Sequence, residues 1–397
     1  MKLAARAGRI VPSPTLSITA TAKAMVAQGI DVIDFASGEP DFDTPDVVKD
    51  AAHTAIKQGF TKYTPASGID ELKVAVVEKL KTEQGLRYDK AQILISCGAK
   101  HTLYNIAEAL FEHGDEVIIP SPFWVSYPDQ ILLNDATPVL LETHEADGYV
   151  VRRRDLEAKV TPRTKAIIIN SPCNPTGATY TRECLQDIAD IAERHDLTII
   201  SDEIYEKIIY DDIRHVSIAT LGTEIAARTV VVNGVSKAFA MTGWRIWYAA
   251  GPKPLIAAMA NIQSQSTSNP TSISQKAAVA ALRDGDTFTQ HMMKEFDRRR
   301  RYMVGRLNAM PGVTCLMPTG AFYAFPNVSG IFNRSHGGGK IQTAADLATY
   351  LLQEAKVAVV PGEPFGSASH IRLSYATSME AITHGLERMK TALTKLT

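Results

Sequence analysis

Cysteine is scarce in this chain: Cys97, Cys173, Cys184 and Cys315 are the full set, with no CxxC pair and no clustering with histidine. That pattern points neither to a disulfide framework nor to a zinc knuckle, so reduced thiols and no bound metal are expected. An excess of either charge is also missing, since 42 Lys and Arg stand against 43 Asp and Glu for a formal net charge of -1. A nucleic-acid-binding surface requires a concentrated positive field, and no such partner is expected. No run approaches the ~20 apolar residues that cross a bilayer, so no membrane partner is expected either. The opening MKLAARAGRIVPSPTLSI is basic but lacks an apolar core, and Pro12 and Pro14 would interrupt an amphipathic presequence. A cytoplasmic location is the resulting expectation. There is no internal repeat, and Gly337-Gly338-Gly339 stands outside any GxxxxGK[ST] frame, which makes it a surface loop and not a phosphate loop.

What is present is ordinary globular composition, 45% hydrophobic and 21% charged over 397 residues, enough for a large core and two domains. Residues 1–45 read as an arm and loop ending in Ala36-Ser37-Gly38-Glu39-Pro40-Asp41-Phe42, a segment expected to pack on other parts of the molecule. Helical spacing covers 46–58 and 69–84, separated by a polar turn that carries Tyr63. An alternation follows: a helix over 99–112, strands at Glu116-Val117-Ile118-Ile119 and Lys165-Ala166-Ile167-Ile168-Ile169, a helix over 181–194, then strands at Leu197-Thr198-Ile199-Ile200 and Thr229-Val230-Val231-Val232. Short β-branched runs separated by helices predict an α/β sheet buried on both faces, with ligands sought at the strand ends. Past residue 250 helices dominate, including a charged one over 288–309. Shorter strands near 313–317, 321–325, 357–360 and 370–375 and a last helix over 379–395 predict a smaller α+β domain, which the N-terminal arm completes. The division expected is 1–45 as arm and part of the small domain, 46–300 as a large cofactor-binding domain, and 301–397 as the small domain.

Each candidate residue has a duller reading when taken alone. Lys237 beyond its strand reads as a surface group, and Asp202 after Ile199-Ile200-Ser201 reads as a cap for the next element. Three strand-like runs, however, end in Asp202, in the approach to Lys237, and in Asn170-Ser171-Pro172-Cys173-Asn174-Pro175-Thr176-Gly177, and these ends can meet in one crevice. A lysine that forms an imine with an aldehyde and an acid that keeps a ring nitrogen protonated are what pyridoxal chemistry needs.

The joint pattern resembles the fold-type I aminotransferases of the aspartate aminotransferase family, in particular the bacterial-type subgroup. The stretches that carry it are Gly38-Glu39-Pro40-Asp41, Lys62-Tyr63-Thr64, Gly98-Ala99-Lys100, Trp124-Val125-Ser126-Tyr127, Asn174-Pro175-Thr176-Gly177, Ser201-Asp202-Glu203-Ile204-Tyr205, Ser236-Lys237 through Trp244-Arg245, and Arg372-Leu373-Ser374-Tyr375-Ala376. The resemblance implies a large domain with a mixed, mainly parallel sheet flanked by helices and a smaller α+β domain. It also implies pyridoxal 5'-phosphate as cofactor and ping-pong transamination between L-aspartate and 2-oxoglutarate.

By resemblance, Lys237 holds the cofactor as an imine and then shuttles the proton, Asp202 pairs with the ring nitrogen, and Tyr205 and Asn174 reach the ring's phenolate oxygen. Trp124 stacks on the ring. Gly98, Ala99 and Lys100 open a helix whose free N–H groups and dipole suit a phosphate, a physical reason independent of the family. Arg245 adds a charge-assisted contact to it. Ser236 is a substitute phosphate ligand, because position 234 is Gly where many relatives carry a phosphate-binding Ser. Tyr63 resembles the tyrosine that reaches the phosphate of a neighbouring subunit, which implies a homodimer with composite sites. Arg372 and the backbone at Gly38, with Trp124 and Asn174, imply the grip on the substrate. An arginine among apolar neighbours is costly unless paired, and its planar fork suits a carboxylate.

Two further departures are His101, where relatives commonly carry Gln, and Trp247, at a position usually given to Gly. Val11 before Pro12-Ser13 replaces the lysine found in prephenate-using relatives and argues against that substrate, while Thr15 and Ser17 keep the arm polar. No arginine matches the one that grips the distal carboxylate in other members; Ser264-Gln265-Ser266-Thr267-Ser268-Asn269 occupies roughly that region. Aromatic, prephenate or small neutral substrates stay open as alternatives, as do a pyridoxal-dependent lyase and a binding protein built on a degenerate enzyme domain.

Overall fold

The computed structural model describes residues 1, 3–10, 14–336 and 339–397. Val11, Pro12, Ser13, Gly337 and Gly338 lie outside the described residues, as do the side chains of Thr15 and Ser17, so the readings of the prephenate position, the glycine loop and the polar arm fall there.

The isoleucine and valine runs assemble as buried strands because each offers an apolar side chain to both faces. Among the described residues fourteen strands form in chain order: β1 Ile33–Asp34, β2 Ile93–Ser96, β3 Glu116–Ser121, β4 Thr137–Glu142, β5 Thr164–Asn170, β6 Thr198–Asp202, β7 Thr229–Gly234, β8 Trp247–Ala250, β9 Tyr323–Ala324, β10 Ser335–His336, β11 Gly339–Lys340, β12 Val357–Ala358, β13 Val360–Pro361 and β14 Ile371–Ser374. Seven of them make one sheet in the order β2-β8-β7-β6-β5-β3-β4. It is parallel from β7 to β4, while β8 runs antiparallel to both its neighbours. The side-chain period of two decides the packing. Ile167 and Ile169 join Ile118, Ile199 and the apolar stripe Leu185, Ile188 and Ala192 on one face, while Ala166, Ile168, Ile200, Val230 and Val232 build the core on the other. Each such isoleucine contributes about 1.5–3 kcal/mol by leaving water.

A second, smaller α+β unit holds the antiparallel sheet β13-β14-β9, and β1 pairs in parallel with β12 beside it. Next to β1, Phe35 is fully buried against Gly385 of the helix Met379–Leu393, where a Cβ would come within 2.4 Å of the Phe35 ring.

Several local readings change. The supposed arm and loop contains a helix, Pro14–Ala27; its threonines and lack of an amphipathic stripe hid it, although proline suits a first turn. Around 313–317 there is only an isolated bridge from Thr314 to Asn327. The helix Asp286–Asn308 runs through residues 300 and 301 without a break, so no loop marks the division expected there. Strands β2, β4 and β8 were not expected. β4 is an edge strand bearing Pro138, tolerated there because edges need fewer donors. All four cysteines are free. Among the described residues no helix is long and apolar enough to cross a membrane.

Candidate active site

Parallel strands bring their C-terminal ends to one edge, and the ends of β5 and β6 are tied together here. Asn170, the last residue of β5, donates from Nδ2 to the Asp202 carbonyl at the end of β6 (3.0 Å) and accepts the Asn174 N–H (2.8 Å). Lys237 follows β7 by three residues. The edge opens on a cavity of about 420 Å³ lined by Asn174, Asp202, Tyr205, Ser236 and Lys237 from this side and by Arg372 and Tyr323 from the smaller unit.

Lys237 Nζ donates to the Gly38 carbonyl at 2.5 Å, so the N-terminal segment lies across the lysine. Burial, helped by the Arg372 and Arg245 guanidiniums and opposed by Glu39 and Asp202, lowers its pKa from 10.5 to about 8. Near neutral pH this multiplies the free amine roughly 300-fold over an ordinary lysine. Asp202 is 3% exposed. It accepts the Tyr127 hydroxyl at 2.8 Å and the Ile204 N–H at 3.3 Å, yet burial outweighs both and raises its pKa to about 6. A carboxylate so placed is short of a cation. The next residue, Glu203, bonds a separate set, His215, Ser201 and Ser217, which takes it out of the cavity's chemistry.

Arg372, on β14, is 2% exposed. Nη1 donates to Asn174 Oδ1 (3.0 Å), Nη2 donates to the Ala36 carbonyl (2.8 Å), and Nε has no partner among the described residues. Its Cζ stands 4.5 Å from the Tyr323 ring centroid and 5.1 Å from that of Phe365. Burial works against its charge. A guanidinium held between rings, with neutral carbonyls as its acceptors, retains an unmet demand for an anion. Tyr205 shares a hydrogen bond with the Tyr323 hydroxyl at 2.8 Å, and a Cβ at Gly38 would lie 3.3 Å from that hydroxyl.

At the other end of the cavity Gly98 precedes the helix Ala99–Leu110 at φ 95°, a conformation that favours glycine. A Cβ there would fall 2.0 Å from Arg245 Nη2, so the bare backbone lets the guanidinium lie over the start of the helix. The N–H groups of Ala99 and Lys100 precede the first intrahelical bond and, with the dipole, suit an anion. Trp124 also lines the cavity, edge-on to Tyr127 with ring centroids 5.5 Å apart and Lys100 Nζ 5.5 Å from its own centroid. His101 points away, accepting the Cys97 N–H and sharing a contact with Ser266.

Of the residues singled out in the sequence, Gly38, Ala99, Lys100, Trp124, Asn174, Asp202, Tyr205, Ser236, Lys237, Arg245 and Arg372 line this one cavity. Gly98 sits behind Arg245. Tyr63 lies outside it, 90% exposed within the single chain. Tyr127, Asn170 and Tyr323 were missed as site residues. Tyr127 stands three positions after Trp124 at the start of the helix Ser126–Leu133, a signal that was available; nothing local marks Tyr323, which is brought in by β9. The cavity thus offers a weakly basic amine, a buried carboxylate, an aromatic face, an anion cup and a guanidinium fork, the complement of a cofactor with an aldehyde, a ring nitrogen and a phosphate.

Comparison with known proteins agrees with this geometry. Residues 30–389 match the family model for aminotransferase class I and II. The aspartate aminotransferase of Geobacillus stearothermophilus is 47% identical over 389 residues, 98% of each chain. The aspartate/prephenate aminotransferase of Cereibacter sphaeroides is 48% identical over 384 residues, 96% of each. The crystal structure of the Rhizobium meliloti aspartate aminotransferase superposes with a TM-score of 0.96 at 44% identity, covering 100% of both chains. With most of its length matched by the family model and by relatives of this similarity, the chain belongs to the class I and II aminotransferases.

Proposed function

We propose that this protein transfers the amino group of L-aspartate to 2-oxoglutarate, giving oxaloacetate and L-glutamate, in a ping-pong cycle that uses pyridoxal 5'-phosphate. The observation that carries it is the facing of Lys237 and Arg372 across one cavity, each supplied by a different sheet. The cavity lining also holds the cations Lys23, Lys100 and Arg245 against only Glu39 and Asp202, a balance suited to a phosphate together with a dicarboxylic substrate.

When bound, the cofactor supplies an aldehyde that takes up primary amines and a protonated ring that accepts electron density. Asp202 would hold the proton on the ring nitrogen. Tyr205 and Asn174 would serve the phenolate oxygen, Trp124 the ring, and Gly98, Ala99, Lys100, Ser236 and Arg245 the phosphate. Lys237 Nζ would hold the cofactor, and the same nitrogen, freed by the incoming amine, would be the base at the substrate Cα. Arg372 grips the α-carboxylate with the backbone near Gly38 closing from the other side. Because Arg372 and Lys237 belong to different units, read as 301–397 with 1–45 and as 46–300, substrate binding draws the units together and excludes water.

A panel of amino donors against 2-oxoglutarate and oxaloacetate, with stopped-flow half-reactions, tests the substrates. The highest kcat/KM is expected for aspartate with 2-oxoglutarate. A neutral or aromatic donor that surpasses aspartate, or prephenate as the better acceptor, refutes the assignment, and oxo-acid release without any acceptor marks a lyase. Arg372→Leu is expected to lower kcat/KM for aspartate by roughly 100-fold or more, because the carboxylate then meets a cavity without its fork. An unchanged kcat/KM in steady-state assays refutes that role.

A cytoplasmic homodimer completes the reading. The near-complete exposure of Tyr63 on the single chain supports a role for it at a partner's phosphate across a two-fold interface. Mixing inactive Lys237→Ala protein with an impaired Tyr63 variant then creates hybrids with one intact site, and activity is expected to rise as mass spectrometry shows subunit exchange. Exchange without regained activity refutes the cross-subunit role.

A further inference from the structure

The two departures at positions 234 and 247 face each other. β7 and β8 pair in a register that sets Gly234 opposite Trp247, and on the other side of β8 the same tryptophan is opposite Ser96. Directly paired residues project to the same sheet face, so the indole lies between two small neighbours. A Cβ on Gly234 would come 2.5 Å from Trp247 Cγ and 2.9 Å from its Cα. The second contact is with backbone, and no rotation of the indole relieves it. Trp247 is 3% exposed and borders the cavity.

The indole also has a polar task. Its Nε1–H donates to Ser236 Oγ at 2.7 Å. Ser236 is 2% exposed, borders the same cavity and precedes Lys237. An indole N–H can only donate, whereas a serine hydroxyl both donates and accepts. With the tryptophan proton on its oxygen, the Ser236 O–H is left to donate, and among the described residues it has no acceptor. The neighbouring cavity groups, Arg245 and the start of the helix Ala99–Leu110, are anion-binding in character.

We propose that Trp247 is a positioning residue for the cofactor phosphate: it occupies the space left by Gly234 and holds the Ser236 hydroxyl as an acceptor, so that the serine proton is directed to the phosphate. This rests on the reading of the cavity as a pyridoxal 5'-phosphate site. Ser236 follows β7 by two residues and Trp247 is the first residue of β8, so the pair sits at one end of the two strands.

The test compares binding of pyridoxal 5'-phosphate and of pyridoxal, which lacks the phosphate, to dialysed full-length enzyme by absorbance titration. Ser236→Ala is expected to weaken binding of the phosphorylated form about 10-fold and Trp247→Phe, which keeps most of the volume, about 5-fold. Pyridoxal affinity is expected to stay the same in both. The double variant is expected to be no weaker than Ser236→Ala, since the tryptophan acts through the serine. Unchanged phosphorylated-cofactor binding in Trp247→Phe, an equal loss for pyridoxal, or full additivity in the double variant would each overturn the role of Trp247. If the parent binds pyridoxal as tightly as its phosphate, the cofactor reading itself falls.

Discussion

Replacing Lys237 with alanine will cost more than about 10⁴-fold in transamination, at the upper end of what one proton-transferring side chain contributes, because the same nitrogen also anchors the cofactor. Two readouts separate this from misfolding. In the parent, borohydride is expected to fix the cofactor to the Lys237 peptide, as seen by mass spectrometry, and in the variant no fixed cofactor is expected. The far-ultraviolet circular dichroism of the variant should match the parent, since among the described residues the Lys237 side chain makes one hydrogen bond, to the Gly38 carbonyl. The lowered pKa adds a pH signature. Capture of cofactor by dialysed enzyme should accelerate as pH rises and level off above about 8, the value to which burial and the two guanidiniums bring the amine. A plateau delayed to the ordinary lysine range, or near-parental turnover by the alanine variant, contradicts the assignment.

Asp202→Asn is expected to slow turnover by about 10³-fold, of the order lost when a preorganised electrostatic group is removed from a reacting centre. Stability should move the other way. In cofactor-free enzyme the folded pKa is raised from 3.8 to about 6, so the folded state binds more protons than the unfolded one between those values. The buried carboxylate is then neutral at acid pH, and as pH rises through about 6 it costs the fold on the order of 3 kcal/mol. Asparagine keeps an acceptor for the Tyr127 hydroxyl and removes the charge. Thermal melting of the dialysed variant at pH 8 is therefore expected at or above the parental temperature, while single-turnover kinetics show the loss. A variant as fast as the parent denies Asp202 its role; one that is slow only because it melts early makes the residue structural. This opposition between stability and activity is what a carboxylate buried for function, not for the fold, should show.

The candidate site was legible to the extent that it is built from strand ends. Asp202 and Lys237 follow runs such as Ile199-Ile200 and Val230-Val231-Val232, whose β-branched composition announces buried parallel strands, and parallel strands must deliver their ends to one edge. The start of the helix Ala99–Leu110 was legible for a similar reason, since a glycine before an apolar-periodic segment exposes unpaired N–H groups. The helix Pro14–Ala27 and the edge strand β4 were not, because their side chains carry little periodic contrast and tertiary packing selects their conformation.

The chain by itself determined its composition class, the α/β alternation, the chemistry of Lys237, Asp202 and Arg372, and the joint pattern that resembles one enzyme family. These are local or short-range properties. Only the tertiary structure decided which residues meet across long separations: that Arg372 spans to the Ala36 carbonyl and Asn174, that Tyr323 pairs with Tyr205, and that Gly234 lies directly against Trp247. The reason is register. Whether two side chains touch across strands depends on which residues pair, and pairing is fixed by the burial of whole faces, not by the identity of either residue.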